Sequence, residues 1–145
     1  FIRLEKKSKI NGLCFKESAT ISEEECRRLL DGDYAVLKEK DNSLCLELYA
    51  KMHYQQLRPK NIVDYKREAY VYAMGNVRVT MDYDIRTGIS IYDFLKAEPV
   101  PIPILGIYIL EVKYDSFLPE IIRGIVSLSS RRNTAFSKYA ATRFI

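Results

Sequence analysis

Val77-Arg78-Val79-Thr80-Met81-Asp82-Tyr83-Asp84 alternates without a slip, with Val77, Val79, Met81 and Tyr83 on one side and Arg78, Thr80, Asp82 and Asp84 on the other. A period of two belongs to a β-strand with one apolar and one polar face. Upstream, across a turn at Gly75, Asn61 to Ala73 is rich in Val, Ile and Tyr, so the two runs read as a hairpin, the second over Asn76 to Asp84. Phe1 to Lys9 alternates in the same way: Arg3, Glu5, Lys7 and Lys9 share one face, Ile2 and Leu4 the other. Gly12 to Thr20 reads as its partner strand, and the Asn11-Gly12 pair between them is a two-residue hairpin signal.

Between the hairpins the period becomes helical. Ser22-Glu23-Glu24-Glu25 is a capping box that opens a short helix ending near Gly32, with Ser22 as a cap and nothing more. A longer amphipathic helix is expected from Asn42 to Gln56, with Leu44, Leu48 and Met52 at helical spacing and His53 as an ordinary helix residue. Pro59 ends this half. Further on, Pro99 to Pro103 reads as a stiff connector and Ile104 to Tyr114 as one long strand carrying Glu111 and Lys113 on one face. Leu118-Pro119-Glu120 starts a helix whose Ile121, Ile122, Ile125, Val126 and Leu128 form an apolar stripe expected to be buried. Asn133 to Ile145 is helical or irregular. The class is α+β, with antiparallel strands.

The 145 residues are 48% hydrophobic and 29% charged, enough apolar material for one core and too little charge for disorder. No run of about 18 uncharged apolar residues occurs, so no membrane helix is expected. The chain opens on Phe1 without Met or leader and reads as a piece of something longer. Three scattered cysteines, Cys14, Cys26 and Cys45, suit a reducing compartment, hence a cytoplasmic location. With His53 the only histidine and no Cys-x-x-Cys, zinc sites and Ser-His or Cys-His chemistry are all but excluded. The glycines are too scattered for a P-loop or a dinucleotide fingerprint.

Charge follows the segments. Residues 1–16 hold Arg3, Lys6, Lys7, Lys9 and Lys16 against Glu5; residues 17–56 are acidic on balance; residues 57–145 are basic again. Charged strand faces have two readings. An ordinary antiparallel sheet turns its apolar face inward and its charges to water. Strands closed into a barrel can instead enclose a polar lumen, and one lined by Lys and Arg is cheap only when an anion fills it. Periodicity leaves both open.

Five strings occur in order along nearly the whole chain: Leu4-Glu5-Lys6-Lys7, Tyr65-Lys66-Arg67-Glu68-Ala69-Tyr70, Val77-Arg78-Val79-Thr80-Met81-Asp82, Leu110-Glu111-Val112-Lys113-Tyr114 and Phe136-Ser137-Lys138-Tyr139. Together they resemble the VTC (vacuolar transporter chaperone) domain, the polyphosphate polymerase branch of the triphosphate tunnel metalloenzymes. The resemblance implies a tunnel of antiparallel strands with flanking helices, of which residues 1–145 would be the C-terminal part of a single domain. It also implies transfer of the γ-phosphate of ATP to a growing polyphosphate chain, with Mn2+ or Mg2+. By motif position Lys7 and Lys16 would be tunnel lysines, and Arg67, with Tyr65, and Arg78 would clamp phosphates. Glu111 would ligate the metal, with Lys113 beside it, and Lys138, next to Ser137, would close on the phosphate chain.

The chain departs from the family pattern twice. Ala135 stands where some members carry a further lysine, and the strands that precede the Glu-Lys-Lys strand in the family are expected from the same protein or another chain. The bland alternatives are that Arg67 and Arg78 pair with Glu68 or Asp82 at the surface and that Glu111 merely pairs with Lys113. On the same footing Tyr65, Tyr70, Tyr72, Tyr108 and Tyr114 serve packing. Two other functions compete: a non-catalytic polyphosphate- or nucleotide-binding module, towards which Ala135 leans, and a tunnel triphosphatase, whose usual Glu-x-Glu-x-Lys strand is not seen. Nucleic acid is a poor partner for a net charge of +4 with no basic tract.

Overall fold

A computed structural model describes the chain except residues 12, 89, 98–99, 129–131 and 144–145. It divides into two compact units, Phe1–Lys60 and Asn61–Ile145. Both mix helices with antiparallel strands, so the class is α+β, and neither sheet closes on itself among the described residues.

The first unit begins with β1 (Ile2–Ile10) and β2 (Leu13–Ile21), antiparallel from Ile2 opposite Ile21 to Ile10 opposite Leu13. Asn11 takes a φ of 51°, the left-handed conformation that a tight hairpin turn needs and that Asn tolerates; Gly12, the other half of that signal, lies outside the described residues. The expected alternation holds: Ile2 and Leu4 are half-buried, while Arg3, Glu5, Lys7 and Lys9 are exposed.

Helix α1 (Glu23–Leu30) starts on the capping box, Glu25 N donating to Ser22 Oγ at 3.1 Å and Ser22 N to Glu25 Oε2 at 2.6 Å. Helix α2 (Ser43–Tyr54) is capped by Asn42, whose side chain accepts from Leu44 N and Cys45 N. Its Leu44, Cys45 and Met52 pack with Ala19, and with Val36 and Leu37 from a 3-10 turn over Tyr34–Glu39. That turn was not anticipated. Too short to show a period, it is fixed by Asp33, which accepts from Ala35 N.

The second unit is a sheet centred on β4 (Val77–Gly88), which runs past Asp84, the expected end. Strand β3 (Ile62–Tyr72) pairs with it on one side; β5 (Ile102–Pro103) and β6 (Ile109–Lys113) pair with its two halves on the other. At the hairpin turn Gly75 has a φ of 74°, and a Cβ there would lie 2.6 Å from the backbone oxygen of Phe117. A side chain is thus excluded both by conformation and by space.

Three expectations are corrected in this unit. Of the long strand expected over Ile104 to Tyr114 only β6 forms, after a turn at Leu105–Gly106 where Gly106 has a φ of 77°, and the expected connector over Pro99 to Pro103 holds the short strand β5; Pro99 itself lies outside the described residues. Helix α3 (Glu120–Val126) forms, but its apolar stripe is not buried: Ile121 is 63% and Ile125 70% exposed, and Leu128, beyond the helix end, is exposed too. Periodicity states which face could be buried, not that something covers it. Of the tyrosines assigned to packing, Tyr70, Tyr108 and Tyr114 are exposed. Past residue 133 a single turn of helix, α4 (Lys138–Ala141), is capped by Ser137, whose Oγ accepts from Ala140 N at 3.2 Å.

Candidate functional site

Residues directly opposite one another in a sheet share a face, so the register of the second unit lists its site. Across β3, β4 and β6 the rows are Arg67–Asp82–Ile109, Ala69–Thr80–Glu111 and Val71–Arg78–Lys113. Arg67, Arg78, Thr80, Glu111 and Lys113 line one shallow depression. The strand period brings them together, since Arg78, Thr80 and Asp82 are alternate residues of β4, as are Glu111 and Lys113 of β6.

Asp82 organises one end of this face. It is fully buried, and its carboxylate accepts from Arg67 Nε at 2.6 Å and Arg67 Nη2 at 2.8 Å, while Lys138 Nζ lies 2.6 Å from Oδ2. The Arg67 fork and Lys138 hold its pKa down to about 2 against the desolvation that opposes them. The same pairing pushes the Arg67 guanidinium further up. Tyr65 supplies an aromatic face to both cations, with Lys138 Nζ 4.7 Å and Arg67 Cζ 5.2 Å from its ring centre. Tyr65, Arg67 and Lys138 thus form one cluster around one buried carboxylate.

The other end is less compensated. Arg78 stands directly opposite Lys113, a pair of like charges on neighbouring strands, and Arg78 makes no hydrogen bond or ion pair among the described residues. Lys113 lies 3.3 Å from Glu111, so that much of the bland reading holds. The bland reading holds for Arg67 as well, which is exposed and pairs with Asp82, except that this partner is itself enclosed. Ser137 caps α4 immediately before Lys138 and so fixes where that lysine leaves the backbone.

Lys7 and Lys16 belong to the first unit. They too are directly opposite each other, on the exposed face of the β1–β2 hairpin. Lys16 Nζ pairs with Glu5 at 2.6 Å; Lys7 has no ion pair among the described residues. The neighbouring Lys6 points the other way, to Glu47 at 2.6 Å and Glu17 at 3.3 Å.

Two residues lie in the site beyond those the sequence assigned to it: Asp82, expected only as a surface partner of an arginine, and Thr80. A signal existed for the first: aspartate is depleted in strand interiors, so one in mid-strand on the face of Arg78 marks a charge with a structural or functional partner. Thr80 gave none, because threonine is an ordinary strand residue.

As to metal ligands, no group of three or more His, Cys, Asp or Glu occurs among the described residues. With Asp82 taken by two cations, Glu111 is the carboxylate left in the depression. One hard oxygen donor suits Mg2+ or Mn2+, which keep several waters and take further ligands from substrate phosphates. Glu111 is thus a donor of the kind such an ion takes, shared with Lys113 at 3.3 Å.

No curated protein and no solved structure matches the chain. A family model does: the VTC domain, over residues 1–144. That family is associated with polyphosphate polymerases, which points to a polyphosphate-related function. With a match running almost from end to end, through both units and both cationic strand pairs, the chain belongs to the VTC domain family.

Proposed function

We propose that this chain forms part of a metal-dependent polyphosphate polymerase, with ATP as phosphoryl donor and polyphosphate as acceptor and product. The observation that carries the reading is the pairing of like cations across strands, Arg78 with Lys113 and Lys7 with Lys16. Such pairs cost stability in the free protein and are compensated when a polyanion lies over them.

In the reaction a terminal phosphate oxygen of the acceptor chain forms a bond to the γ-phosphorus of ATP. The bond from that phosphorus to the β,γ-bridging oxygen breaks, and ADP leaves with both electrons of that bond. Little covalent work falls to the protein; the barrier is lowered by alignment and charge neutralisation. Arg78 and Lys113 would neutralise phosphate oxygens. Arg67 and Lys138, held by Asp82 and seated on Tyr65, would offer a preset cationic edge, the arginine as a fork and the lysine as a movable point charge. Glu111 would hold Mn2+ or Mg2+, which when bound supplies charge neutralisation and alignment across phosphate oxygens.

Incubation of the protein with ATP and Mn2+, with the products resolved by electrophoresis, tests this. Phosphate polymer is expected; its absence in a protein that binds ATP would overturn the polymerase reading. A non-catalytic polyphosphate-binding module is the second reading, favoured by Ala135, which is exposed and brings no charge. Glu111→Gln separates the two. In a polymerase it should abolish turnover while leaving metal-free polyphosphate affinity within about threefold of the wild type.

A further inference from the structure

Most buried polar side-chain atoms of the second unit are partnered; Asn61 Oδ1, at the start of the unit, and Thr80 Oγ1 are not. Asp82 holds Arg67 and Lys138, Thr87 Oγ1 donates to Ile62 O at 3.0 Å, and Thr142 Oγ1 donates to Tyr139 O at 3.0 Å. Thr80, only 3% exposed, has a hydroxyl with no hydrogen-bond partner among the described residues. Valine fills the same volume in a central strand without that cost, so packing does not account for the hydroxyl.

Its position does. Thr80 is the fourth residue of β4, the strand between β3 and β6, with Arg78 and Asp82 two residues to either side and Glu111 directly opposite on β6. It lines the same depression as Arg67, Arg78, Glu111 and Lys113. On its β3 side the opposite residue is Ala69, exposed and with only a methyl group to offer. The other residues lining the depression are long charged side chains, and three of them, Arg67, Arg78 and Lys113, are cations that a phosphate would draw to itself.

We propose that Thr80 is a phosphate-binding residue, its hydroxyl donating a hydrogen bond to a non-bridging oxygen of the bound phosphate chain beside Glu111. This rests on the polyphosphate reading above and adds to it a neutral donor at the centre of a charged site. A neutral donor fixes the position of one oxygen without adding to the long-range attraction, so it governs registration of the chain, not its capture.

The test is binding of tripolyphosphate, without metal, by the full chain and by its Thr80→Val and Thr80→Ser variants, together with thermal melts of the ligand-free proteins. Thr80→Val should bind roughly tenfold more weakly or worse, and Thr80→Ser within about threefold of the wild type. The dependence of log affinity on log salt should keep its slope in Thr80→Val, since no cation has been removed. The ligand-free melting temperature of Thr80→Val should equal or exceed that of the wild type. Undiminished binding by Thr80→Val overturns the proposal and leaves the polyphosphate reading standing. So does weaker binding joined to a lower melting temperature and a flatter salt slope, the signs of a distorted site. Failure of the wild type itself to bind tripolyphosphate overturns the parent reading, and the role of Thr80 with it.

Discussion

Asp82 shows how much one residue can determine. A carboxylate enclosed in a sheet is tolerable only if its charge is answered, and here a two-pronged arginine and a lysine answer it. Removing the charge leaves both cations facing a neutral group. Asp82→Asn should therefore lower stability by about 3 kcal/mol in chemical denaturation. It should also raise the KM for ATP, because Arg67 and Lys138 lose their common anchor. The pH dependence has a definite sign. A carboxylate whose folded pKa lies near 2, below its ordinary 3.8, contributes stability in full above pH 3.8 and loses it as pH falls towards 2. The loss amounts to about 2 kcal/mol. Acid titration of the denaturation midpoint should show that component in the wild type and not in Asp82→Asn.

At the scale of elements, the rung formed by Arg78 and Lys113 sets stability against binding. Arg78→Gln keeps the stem and removes the repulsion. It should leave stability unchanged or raise it by a few tenths of a kcal/mol, while weakening tripolyphosphate binding roughly tenfold. The turn between β3 and β4 is the opposite kind of position. Gly75→Ala meets both a left-handed φ and the Phe117 carbonyl, and should lower the melting temperature by several degrees, about 1–2 kcal/mol. Elements with a strong local signal were legible: both hairpins, the Ser22 capping box and the helix after Asn42. So was the placing of Glu111 with Lys113 on one face, because strand parity is a local property; that Arg67 and Arg78 share it depends on the register between strands. What escaped depended on contacts the sequence does not display. The turn at Tyr34–Glu39 is held by one aspartate and by its own burial. The break at Gly106 hides inside an apolar run, and the stripe of α3 has no cover despite its period. Thr80 escaped for the converse reason: a lone hydroxyl is informative only once its missing partner is known.

Across the whole molecule, the modest net charge of +4 understates how far the charges are sorted. The acidic middle segment spends much of its charge locally: Glu25 holds Lys40, Asp33 and Glu39 hold Arg28, and Glu47 holds Lys6 and Lys51. Among the described residues, Lys7 in one unit and Arg78 in the other stand on exposed strand faces without an ion pair. Binding of tripolyphosphate should accordingly weaken steeply with salt. Lys113→Ala should reduce the slope of log affinity against log salt by about one, measured by titration calorimetry over a series of salt concentrations.

The irregularity in pairing between β3 and β4 has a consequence of its own. Asp64 faces Arg86 and Lys66 faces Tyr83, so β4 spends two residues, Asp84 and Ile85, where β3 spends only Tyr65, and Asp84 takes a φ of 49° there. The supernumerary residue reverses the parity of β4 halfway along. Before it, the odd residues turn away from Arg67; after it, Ile85 and Thr87 inherit the side that Arg78, Thr80 and Asp82 occupied, and both are buried. One surface is thereby split into a charged stretch and a buried, uncharged stopper. Deleting Asp84 would restore regular pairing and, in doing so, drive either the ionic groups or the stopper through to the wrong side of the sheet.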